Sequence, residues 1–445
     1  MRIIIDGAGD VGSHLAKLLS REEQDIVLID KDRSKLEEID ANYNLMTIVG
    51  SPTSYATIKD AGANDADLFI AVTPYETGNI TACSIARYLG AKATVARIDN
   101  YEFMTEKPRA FFKSIGVNYT IYPEYLAATE IITALEHTWA RHWFELHNGE
   151  IFLIGVKVNT SAKFIGLPLK DITRQNHFFH VSAIRRRNET IIPRGDDVIL
   201  ENDILYLTAT QDQLEQIREL CGKTAHKVKK VLIMGGSRIA LRLIDLAKDK
   251  FRFKVIENNP ERCRWLADRI PTNVTIVQGD GRDNDILIEA GIEDFDAFVS
   301  LTGSSEANIL SCLTAKEFGI KKTVAEVENI QFISEAEALN IGTVINKKLL
   351  CSARIVQLML DADDSTSKCL SLTDAEVAEV EVKPGAKIIG KPVKDLRLSR
   401  DLTLAGLIRK GKGMLVTGMT QFEARDQVVV FCLSGSLHKI EKLFS

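Results

Sequence analysis

The fold is decided by the N-terminal stretch IIIDGAGDVG, residues Ile3–Gly12. The apolar run predicts a buried strand, and the Gly-x-Gly-x-x-Gly pattern predicts the tight turn into the first helix of a dinucleotide-binding α/β domain. Gly7 permits the turn, Gly9 lets a pyrophosphate approach the main chain, and Gly12 lets helix and strand pack closely. Helix N-terminal amides there favour a phosphate. The alternative is a helix-packing turn that binds no ligand.

An acidic residue strengthens the dinucleotide prediction. Asp30 ends the second apolar run, Ile26–Asp30, 18 residues after Gly12. A carboxylate at this place accepts hydrogen bonds from ribose hydroxyls and repels a 2′-phosphate. The pattern therefore predicts NAD rather than NADP.

The chain is an internal duplication. A second copy of the opening stretch, VLIMGGSRIA, occupies Val231–Ala240, with Gly235 lying 228 residues after Gly7. Nearly the same spacing, 229 residues, recurs from Gly50 to Gly279 and from Asn79 to Asn308. A single slowly drifting register across the whole chain indicates two homologous halves.

Each half divides again. Apolar runs that alternate with helix-sized segments predict parallel strands at Ile3–Ile5, Ile26–Ile29, Met46–Val49, Leu68–Val72 and Val95–Ile98. A long helix is predicted over Tyr122–Arg141, and β-rich segments follow at Glu150–Val158, Val181–Ile184 and Ile204–Thr208. The second half repeats this order, with a helix near Lys347–Leu360 and strands from Val377 onward.

The predicted fold class is α/β, with two Rossmann-like parallel-sheet domains that are each followed by a small β-rich α+β subdomain. The predicted domains are 1–122, 123–225, 228–346 and 347–445. The basic stretch Lys223–Lys230 joins the halves and is typical of a solvated linker. The two long helices are also candidates for dimer contacts, although an intrachain crossover would look the same in sequence.

Bulk composition narrows the class of protein. The 445 residues carry a net charge of −5, which argues against a protein that coats nucleic acid. No apolar run reaches the roughly 18 residues of a membrane span, and the N-terminus leads directly into a strand rather than a signal peptide. The seven cysteines form no C-x-x-C pair, which is typical of buried thiols in a reducing compartment. We therefore expect a soluble cytosolic protein.

The second turn departs from the first. Ser237 replaces Gly9, Ala240 replaces Gly12, and Glu257 corresponds roughly to Asp30. Because serine adds bulk where the backbone would meet a phosphate, dinucleotide binding is predicted to be weaker there or differently posed.

The loops after the fourth strands have two possible roles. Val72–Asn79 and Leu301–Asn308 follow strand ends, where ligands bind in open α/β sheets. Alternatively, they are polar loops in which Thr or Ser caps the next helix. Arg97 ends the fifth strand and could reach a phosphate, but its counterpart is Glu326.

Several patterns that suggest catalysis or metal binding are interpreted as coincidences. Tyr55-x-x-x-Lys59 lies too early in the chain for a short-chain dehydrogenase, and Gly406–Lys412 resembles a P-loop but predicts a hairpin turn. His137, His142 and His147 are spaced by five residues, which fits no zinc motif. The triplet Arg185–Arg187 is interpreted as a solvated face. No metal site and no catalytic residue are predicted.

The ordered set of motifs resembles the RCK (regulator of potassium conductance) domain family. The motifs that carry the resemblance are the glycine turn with Asp30, Gly50–Thr53, the Val72–Asn79 loop, Val95–Arg97, and a β-rich module with Lys163–Gly166 and Ile192–Asp196. Two RCK domains in tandem across essentially the whole chain are similar to the peripheral regulatory subunits of potassium-uptake systems.

The resemblance implies a cytoplasmic gating ring on the inner face of the membrane. The implied assembly is a homo-oligomer, either a tetramer or a dimer of dimers, that binds a membrane potassium-channel subunit and no nucleic acid. The implied ligands are NAD(H) in the first Rossmann domain and ATP/ADP or a weaker nucleotide in the second. The nucleotide-binding residues that it implies are Gly7, Gly9, Asp10, Val11, Gly12, Asp30, Thr73, Pro74 and Arg97 in the first half and Arg238, Ile239, Glu257, Gly279 and Asp280 in the second.

Two other classes of function remain open from sequence. One is an NAD-dependent oxidoreductase with a duplicated fold, although no general acid or base stands out in the β-rich segments. The other is a nucleotide sensor for a different ion transporter. The family's Gly-Asp pair after the third strand survives as Gly279-Asp280 but is Gly50-Ser51 in the first half.

Overall fold

A computed structural model of the chain describes residues 1–20, 24–175, 178–187, 189–362, 368–372, 375–396, 398–433 and 443–444. These residues form four sheets, two of them parallel and two antiparallel. No helix among the described residues is both long enough and apolar enough to cross a bilayer.

The first sheet is parallel, and its strand order is β3-β2-β1-β4-β5-β6. Its strands are β1 (Arg2–Asp6), β2 (Asp25–Asp30), β3 (Met46–Val49), β4 (Leu68–Ala71), β5 (Ala93–Arg97) and β6 (Tyr119–Ile121). Its helices are α1 (Asp10–Leu19), α2 (Arg33–Asp40), α3 (Tyr55–Asp60), α4 (Glu76–Leu89) and α5 (Glu106–Ser114). The order reverses between β1 and β4, so the carboxyl ends of these strands form the crevice where such folds bind ligands.

The second parallel sheet repeats this topology with the order β14-β13-β12-β15-β16-β17. Its strands are β12 (Lys230–Met234), β13 (Arg252–Glu257), β14 (Thr275–Gln278), β15 (Ala297–Ser300), β16 (Lys322–Glu326) and β17 (Thr343–Ile345). Its helices are α9 (Arg238–Ala247), α10 (Pro260–Ala267), α11 (Asn284–Glu289), α12 (Ser305–Glu317) and α13 (Ile333–Ala338). The duplication predicted from sequence is therefore confirmed in the strand order.

The two antiparallel sheets also match each other strand for strand. The first has the order β10-β9-β11-β8-β7 and the second β18-β19-β22-β20-β21. Their strands are β7 (His142–Leu146), β8 (Ile151–Lys157), β9 (His180–Arg186), β10 (Glu189–Ile191), β11 (Ile204–Ala209), β18 (Lys368–Leu372), β19 (Ala375–Glu381), β20 (Leu402–Arg409), β21 (Lys412–Leu415) and β22 (Gln427–Leu433). Two short helices accompany the first sheet, α7 (Leu169–Gln175) and α8 (Leu214–Leu220).

The segment Gly406–Lys412 is a hairpin turn, as predicted. Arg409 pairs with Lys412 across β20 and β21, and the two intervening residues, Lys410 and Gly411, have φ of 53° and 79°. Positive φ at both central residues is the geometry of a tight two-residue hairpin. The segment therefore lacks the helix that a phosphate-binding P-loop requires.

The first long helix is shorter than predicted. Helix α6 covers Pro123–Glu136, and β7 begins at His142, so the prediction that the helix reaches Arg141 was wrong. The backbone amide of Arg141 already donates to Gly155 O at 2.8 Å, as part of the sheet. The aromatic residues Trp139, Trp143 and Phe144 favour a pleated, half-buried surface over a helix. The second long helix, α14, covers Lys347–Ala362.

The chain divides into two compact units that do not follow the duplication. One unit holds residues 1–127 together with 347–364, so α14 packs in the same unit as the first parallel sheet. Within that unit, Lys348 Nζ on α14 lies 2.9 Å from Asp10 Oδ2 at the start of α1. The other unit holds 128–346 and 365–445. Inside it, an apolar cluster with Leu153, Tyr206 and Phe431 joins the two antiparallel sheets.

The triplet Arg185–Arg187 is not a uniformly solvated face. Arg185 is buried and its Nη1 lies 3.1 Å from Glu337 Oε2. Arg186 Nη2 lies 2.8 Å from Asp203 Oδ2, whose side chain is buried. The prediction was wrong for Arg185, because its acidic partner lies 152 residues away in sequence and only the fold brings the two together.

Candidate functional site

The first glycine turn lies at the carboxyl end of β1, and each glycine has a distinct physical role. Gly7 has φ of +109°, and its amide donates to Ile29 O at 2.8 Å. A Cβ on Gly12 would lie only 1.8 Å from Gly7 O, so this position excludes every side chain. A Cβ on Gly9 would meet no atom within 4 Å. The turn is therefore closely packed at Gly12, where the helix meets the strand, and open at Gly9.

The open side of the turn holds the first amides of α1. Gly9 is the N-cap of this helix, and among the described residues no side chain caps it. The first amides of a helix lack intrahelical acceptors and attract anions. Asp10 is exposed, Val11 is buried in the core, and Pro74 lies exposed in the neighbouring loop.

Asp30 holds the turn in place. Its side chain is 7% exposed; Oδ2 accepts from the Ala8 amide at 2.7 Å and Oδ1 accepts from the Asp32 amide at 2.9 Å. Each carboxylate oxygen can accept a second hydrogen bond, so the predicted ribose contact is compatible with both backbone bonds. Its position at the end of β2, over the turn, is the one predicted from sequence.

A second carboxyl group lies close by, and the sequence analysis did not identify it. Asp6 ends β1 with a fully buried side chain. Neither of its oxygens has a hydrogen-bond partner among the described residues. Burial, and secondarily the charge of Asp30, raises the pKa of Asp6 well above its usual value. The counterpart of Asp6 in the second half is Met234.

The loop after β4 is fixed by an asparagine. The buried Asn79 Oδ1 accepts from the Thr73 amide at 3.0 Å and from Thr73 Oγ1 at 2.6 Å. Asn79 Nδ2 donates to Thr73 O and to Arg97 O, both at 2.9 Å. Thr73 and Arg97, which both belong to the predicted site, are thus brought to one edge of the sheet. The alternative role of Thr73, as the N-cap of α4, is not observed. The N-cap is Tyr75, and its side chain makes no capping hydrogen bond.

Arg97 has an incomplete set of partners. Its Nη2 lies 3.9 Å from Asp99 Oδ1, and its buried Nε has no hydrogen-bond partner among the described residues. A guanidinium group of this kind is suited to an anionic group of a ligand.

The second turn repeats the scaffold. Glu257 Oε2 accepts from the Gly236 amide at 2.6 Å, and Oε1 accepts from the Asn259 amide at 2.8 Å. Asn308 fixes the loop after β15 as Asn79 does after β4, with bonds to Thr302 and to Glu326 O. The same carboxylate and amide clamps therefore operate in both halves.

The chemistry in front of the second turn differs. Ser237 caps α9, and its Oγ accepts from the Ala240 amide at 3.3 Å. One of the helix donors that would meet a phosphate is therefore already occupied. Ala240 also carries a methyl group at the position where Gly12 allows none, so this turn and helix cannot approach as closely as in the first half.

A cavity of about 520 Å³ opens over the second turn. Three of the predicted residues, Glu257, Gly279 and Asp280, line it. The other two do not, since Arg238 is exposed elsewhere and Ile239 is buried in the core. The carboxylate of Asp280 receives a 2.6 Å bond from Arg282 Nη2.

Two arginines of this cavity escaped the sequence analysis. Arg262 and Arg282 both line it; Arg262 Nε donates to Gly236 O at 2.9 Å, and its guanidinium lies 5.0 Å from the Trp265 ring centroid. The sequence position of Arg262 could have identified it, because it lies in the first turn of the helix that follows Glu257. The second site therefore offers two guanidinium groups to a phosphate-bearing ligand.

Together, the turns, the strand order and the antiparallel modules define a tandem pair of Rossmann-like domains, each with its own β-rich module. The TrkA-N domain model matches residues 3–123 and 231–347, and the TrkA-C domain model matches 153–222 and 377–445. The chain belongs to the family that these domains define, the TrkA family, and contains two copies of each domain. The family resemblance and the fold class predicted from sequence are confirmed.

Relatives match over the full length of the chain. The Trk system potassium uptake protein TrkA of Halomonas elongata is 29% identical over 451 residues, covering 100% of this chain and 98% of the relative. The Haemophilus influenzae protein of the same name is 28% identical with the same coverage. A TrkA homolog from Archaeoglobus fulgidus is 29% identical, and each chain is covered completely.

Solved structures share the fold. The crystal structure of the GsuK RCK domain superimposes with a TM-score of 0.61 at 16% identity, covering 100% of this chain and 94% of that one. The GsuK channel bound to NAD gives a TM-score of 0.61 at 15% identity, covering 100% and 78%. At these identities the likeness shows the architecture alone.

Proposed function

We propose that this chain is the nucleotide-binding regulatory subunit of a Trk potassium-uptake system and has no catalytic activity of its own. The single observation that carries the nucleotide part is the first turn, where an uncapped helix start at Gly9 faces open space beside the buried carboxylate of Asp30. The transport part rests on the TrkA relatives, which match from end to end.

The first domain is proposed to bind NAD(H). The pyrophosphate would lie against the Gly9 backbone and the free amides of α1, and a ribose would donate to Asp30. Thr73 and Arg97, which Asn79 holds at the same edge, would contact the remainder of the ligand. The negative charge of Asp30 disfavours a 2′-phosphate and therefore selects NAD(H) over NADP(H).

The second domain is proposed to bind an adenine nucleotide such as ATP or ADP, or a nucleotide that binds more weakly. Glu257 would accept from the ribose, while Arg262 and Arg282 would neutralise phosphate charge. The Ser237 hydroxyl, which accepts from the Ala240 amide, would compete with the pyrophosphate of a dinucleotide for that donor. A mononucleotide whose phosphates turn towards the arginines avoids that conflict.

Regulation requires that a nucleotide binds two shapes of the assembly with different affinity. We propose a homo-oligomeric ring, a tetramer or a dimer of dimers, on the cytoplasmic face of the membrane. Its partner would be a TrkH/TrkG-like potassium-channel subunit. Nucleotide exchange in the Rossmann crevices would then shift the ring between conducting and closed forms of the channel.

Reconstitution tests this proposal. The full chain is incubated with a TrkH-type channel in liposomes, and potassium flux is measured with no nucleotide, NADH, NAD, ATP or ADP. We expect the chain to co-sediment with the channel liposomes and the flux to depend on the nucleotide. Flux that is identical under all conditions, despite co-sedimentation, would remove the regulatory role. NADH turnover over a substrate panel would instead indicate an oxidoreductase.

A further inference from the structure

A second kind of pocket lies beside the first antiparallel sheet, and no residue of either glycine turn lines it. Its volume is about 490 Å³. Its aromatic lining comes from the α6–β7 connection and from β7 and β8, namely His137, Trp139, Trp143 and Phe152. Neither the glycine turns nor the proposed nucleotide sites use any of these residues.

The aromatic side chains form a continuous wall. The His137 ring stacks on Trp143 with centroids 3.7 Å apart and planes 4° apart. Trp139 meets Trp143 edge-on at 6.0 Å, and Phe152 lies 5.4 Å from Trp143. Burial lowers the pKa of His137 below its usual value, so the imidazole is a neutral ring at pH 7. Because His137 covers one face of the buried Trp143, the half-buried rings of His137 and Trp139 are the more accessible part of the wall. The wall carries no positive charge of its own.

The pocket is also acidic. Glu145, Glu150 and Glu215 line it, and no lysine or arginine does so among the described residues. Glu150 Oε2 accepts from the Gly413 amide at 3.0 Å, and Glu215 pairs with Arg218. Glu145 is exposed and makes no ion pair in the described part of the chain. Carboxylates beside aromatic faces attract cations, and planar cations most of all.

One buried donor in the wall lacks an acceptor. Trp143 is 8% exposed, and its indole Nε1 has no hydrogen-bond partner among the described residues. Buried polar groups in folded proteins are normally paired. A ligand that carries an acceptor next to its cationic group would satisfy this donor and the carboxylates together.

The third tryptophan of the chain, Trp265, is packed against two arginine side chains. Trp265 has the guanidinium carbons of Arg262 and Arg269 each 5.0 Å from its ring centroid. Among the described residues, neither Trp139 nor Trp143 has such a partner. Trp265 therefore has its cations within the chain, whereas the pocket of the first antiparallel module has aromatic rings and carboxylates but no cation from the described residues.

The aromatic pocket is not a requirement of the fold. The second antiparallel sheet has the same strand order, yet Cys369 and Glu376 occupy the ladder positions equivalent to Trp143 and Phe152. All three tryptophans of the chain lie outside the second module. The same sheet therefore forms without these side chains, and in the first module Trp143 and Phe152 pack in the apolar core while they also line the pocket.

We propose that this pocket binds a guanidinium cation, which stacks against the Trp139–Trp143 wall and pairs with Glu145. The cation can arrive on a free metabolite or on an arginine side chain of a partner protein. When the cation is an arginine side chain, a neighbouring backbone carbonyl would also accept from Trp143 Nε1. This inference does not depend on nucleotide binding or on potassium transport.

The test uses the full chain labelled with 5-fluorotryptophan, which gives three ¹⁹F resonances that Trp→Phe variants assign. The protein is titrated with agmatine, with the blocked tripeptide acetyl-Gly-Arg-Gly-amide, and with the same tripeptide carrying citrulline, a neutral isostere of arginine. We expect the Trp139 and Trp143 resonances to shift with the guanidinium probes alone, while Trp265 stays unchanged. Tighter binding of agmatine would identify a free metabolite, and tighter binding of the tripeptide would identify a partner chain.

Charge variants complete the test. Glu145→Gln should weaken the response to the arginine tripeptide about fivefold, as expected for loss of one close charge in water. Glu219→Gln, on an exposed carboxylate of α8 that does not line the pocket, should leave it unchanged. An equal response to citrulline, an equal loss in both variants, or no shift at Trp139 and Trp143 would overturn the proposal.

Discussion

The two glycine turns have nearly the same backbone and different side chains in front of it. Gly9 has φ and ψ of −75° and −173°, and Ser237 has −74° and 170°. Behind the turns, Asp30 and Glu257 each accept from the same two backbone positions. The carboxylate therefore stabilises the turn in both halves, whether or not a dinucleotide binds. We propose that the two halves differ in ligand because different groups face the crevice: an uncapped helix in one half, and a serine cap and two arginines in the other.

The strongest predicted effect comes from filling the open space at Gly9. Gly9→Asp should reduce NADH affinity by on the order of 100-fold or more, because its carboxylate would face the pyrophosphate at close range. Folding should be unaffected, since no atom lies within 4 Å of the added Cβ and Asp is a favourable N-cap. Titration calorimetry measures the affinity.

Gly9→Ala is the matched control for this change, because it adds a methyl group without charge. Its effect on NADH affinity should be much smaller. Equal losses in the two variants would mean that the phosphate does not lie at Gly9.

The next effect concerns the charge of Asp30. Asp30→Asn keeps an acceptor oxygen but removes the charge that opposes a 2′-phosphate, so the preference for NADH over NADPH should narrow about tenfold. The ratio of the two dissociation constants is the measurement. Glu257→Gln, the equivalent change in the second half, should leave that ratio unchanged. A ratio that persists in Asp30→Asn would contradict the proposed ribose contact.

The difference between Asp6 and Met234 should affect the stability of the two parallel sheets rather than their ligand affinity. Asp6→Met removes a buried carboxyl without partners and should raise the local unfolding free energy by about 1–3 kcal/mol. Burial raises the folded pKa of Asp6, so ionisation of this carboxyl destabilises the folded state. The unmodified protein is therefore most stable below the unfolded pKa of Asp6, and it loses stability as the pH rises through the folded pKa. The gain should therefore be larger at pH 7 than at pH 4.

Hydrogen exchange of the β1 amides is the appropriate measurement for this change, since all three tryptophans lie in the other compact unit. Met234→Asp should produce the opposite change in β12. Faster exchange of β1 in Asp6→Met would show that the carboxyl stabilises the strand.

The smallest effect is expected at Ser237. Ser237→Gly frees the Ala240 amide for a ligand and should strengthen nucleotide binding in the second half a few-fold, while costing a few tenths of a kcal/mol in stability. Titration with ATP and NADH, in a Gly9→Asp background that silences the first turn, measures this. Unchanged affinity for both ligands would mean that the cap does not compete with phosphate.

Much of the fold could be predicted because its signals are local. The apolar runs gave β1 to β5 nearly to the residue, with Met46–Val49 matched exactly by the observed β3. The Lys410–Gly411 hairpin was predictable from the missing Ser/Thr and the strand–turn–strand setting. Gly7, Gly9, Gly12 and Asp30 could be selected from sequence because backbone-based phosphate sites require these residue types at a fixed spacing; their role in nucleotide binding stays a prediction.

What sequence analysis missed depends on contacts between distant residues. Arg185 pairs with Glu337, 152 residues away, so its burial has no local signal. Asp6 looks like one more strand residue until its lack of partners is seen. The end of α6 was misplaced because helical spacing and the aromatic β pattern overlap around Trp139. Arg262 and Arg282 appear as ordinary helix and loop residues until the cavity brings them together.

We propose that the first turn, not the second, is the dinucleotide site. Calorimetric titration of the full chain with NADH, alongside Asp30→Ala and Glu257→Ala, is the most direct test of this assignment. We expect one tight NADH per chain in the unmodified protein, lost in Asp30→Ala and retained in Glu257→Ala. Tight binding that survives Asp30→Ala and disappears in Glu257→Ala would contradict it.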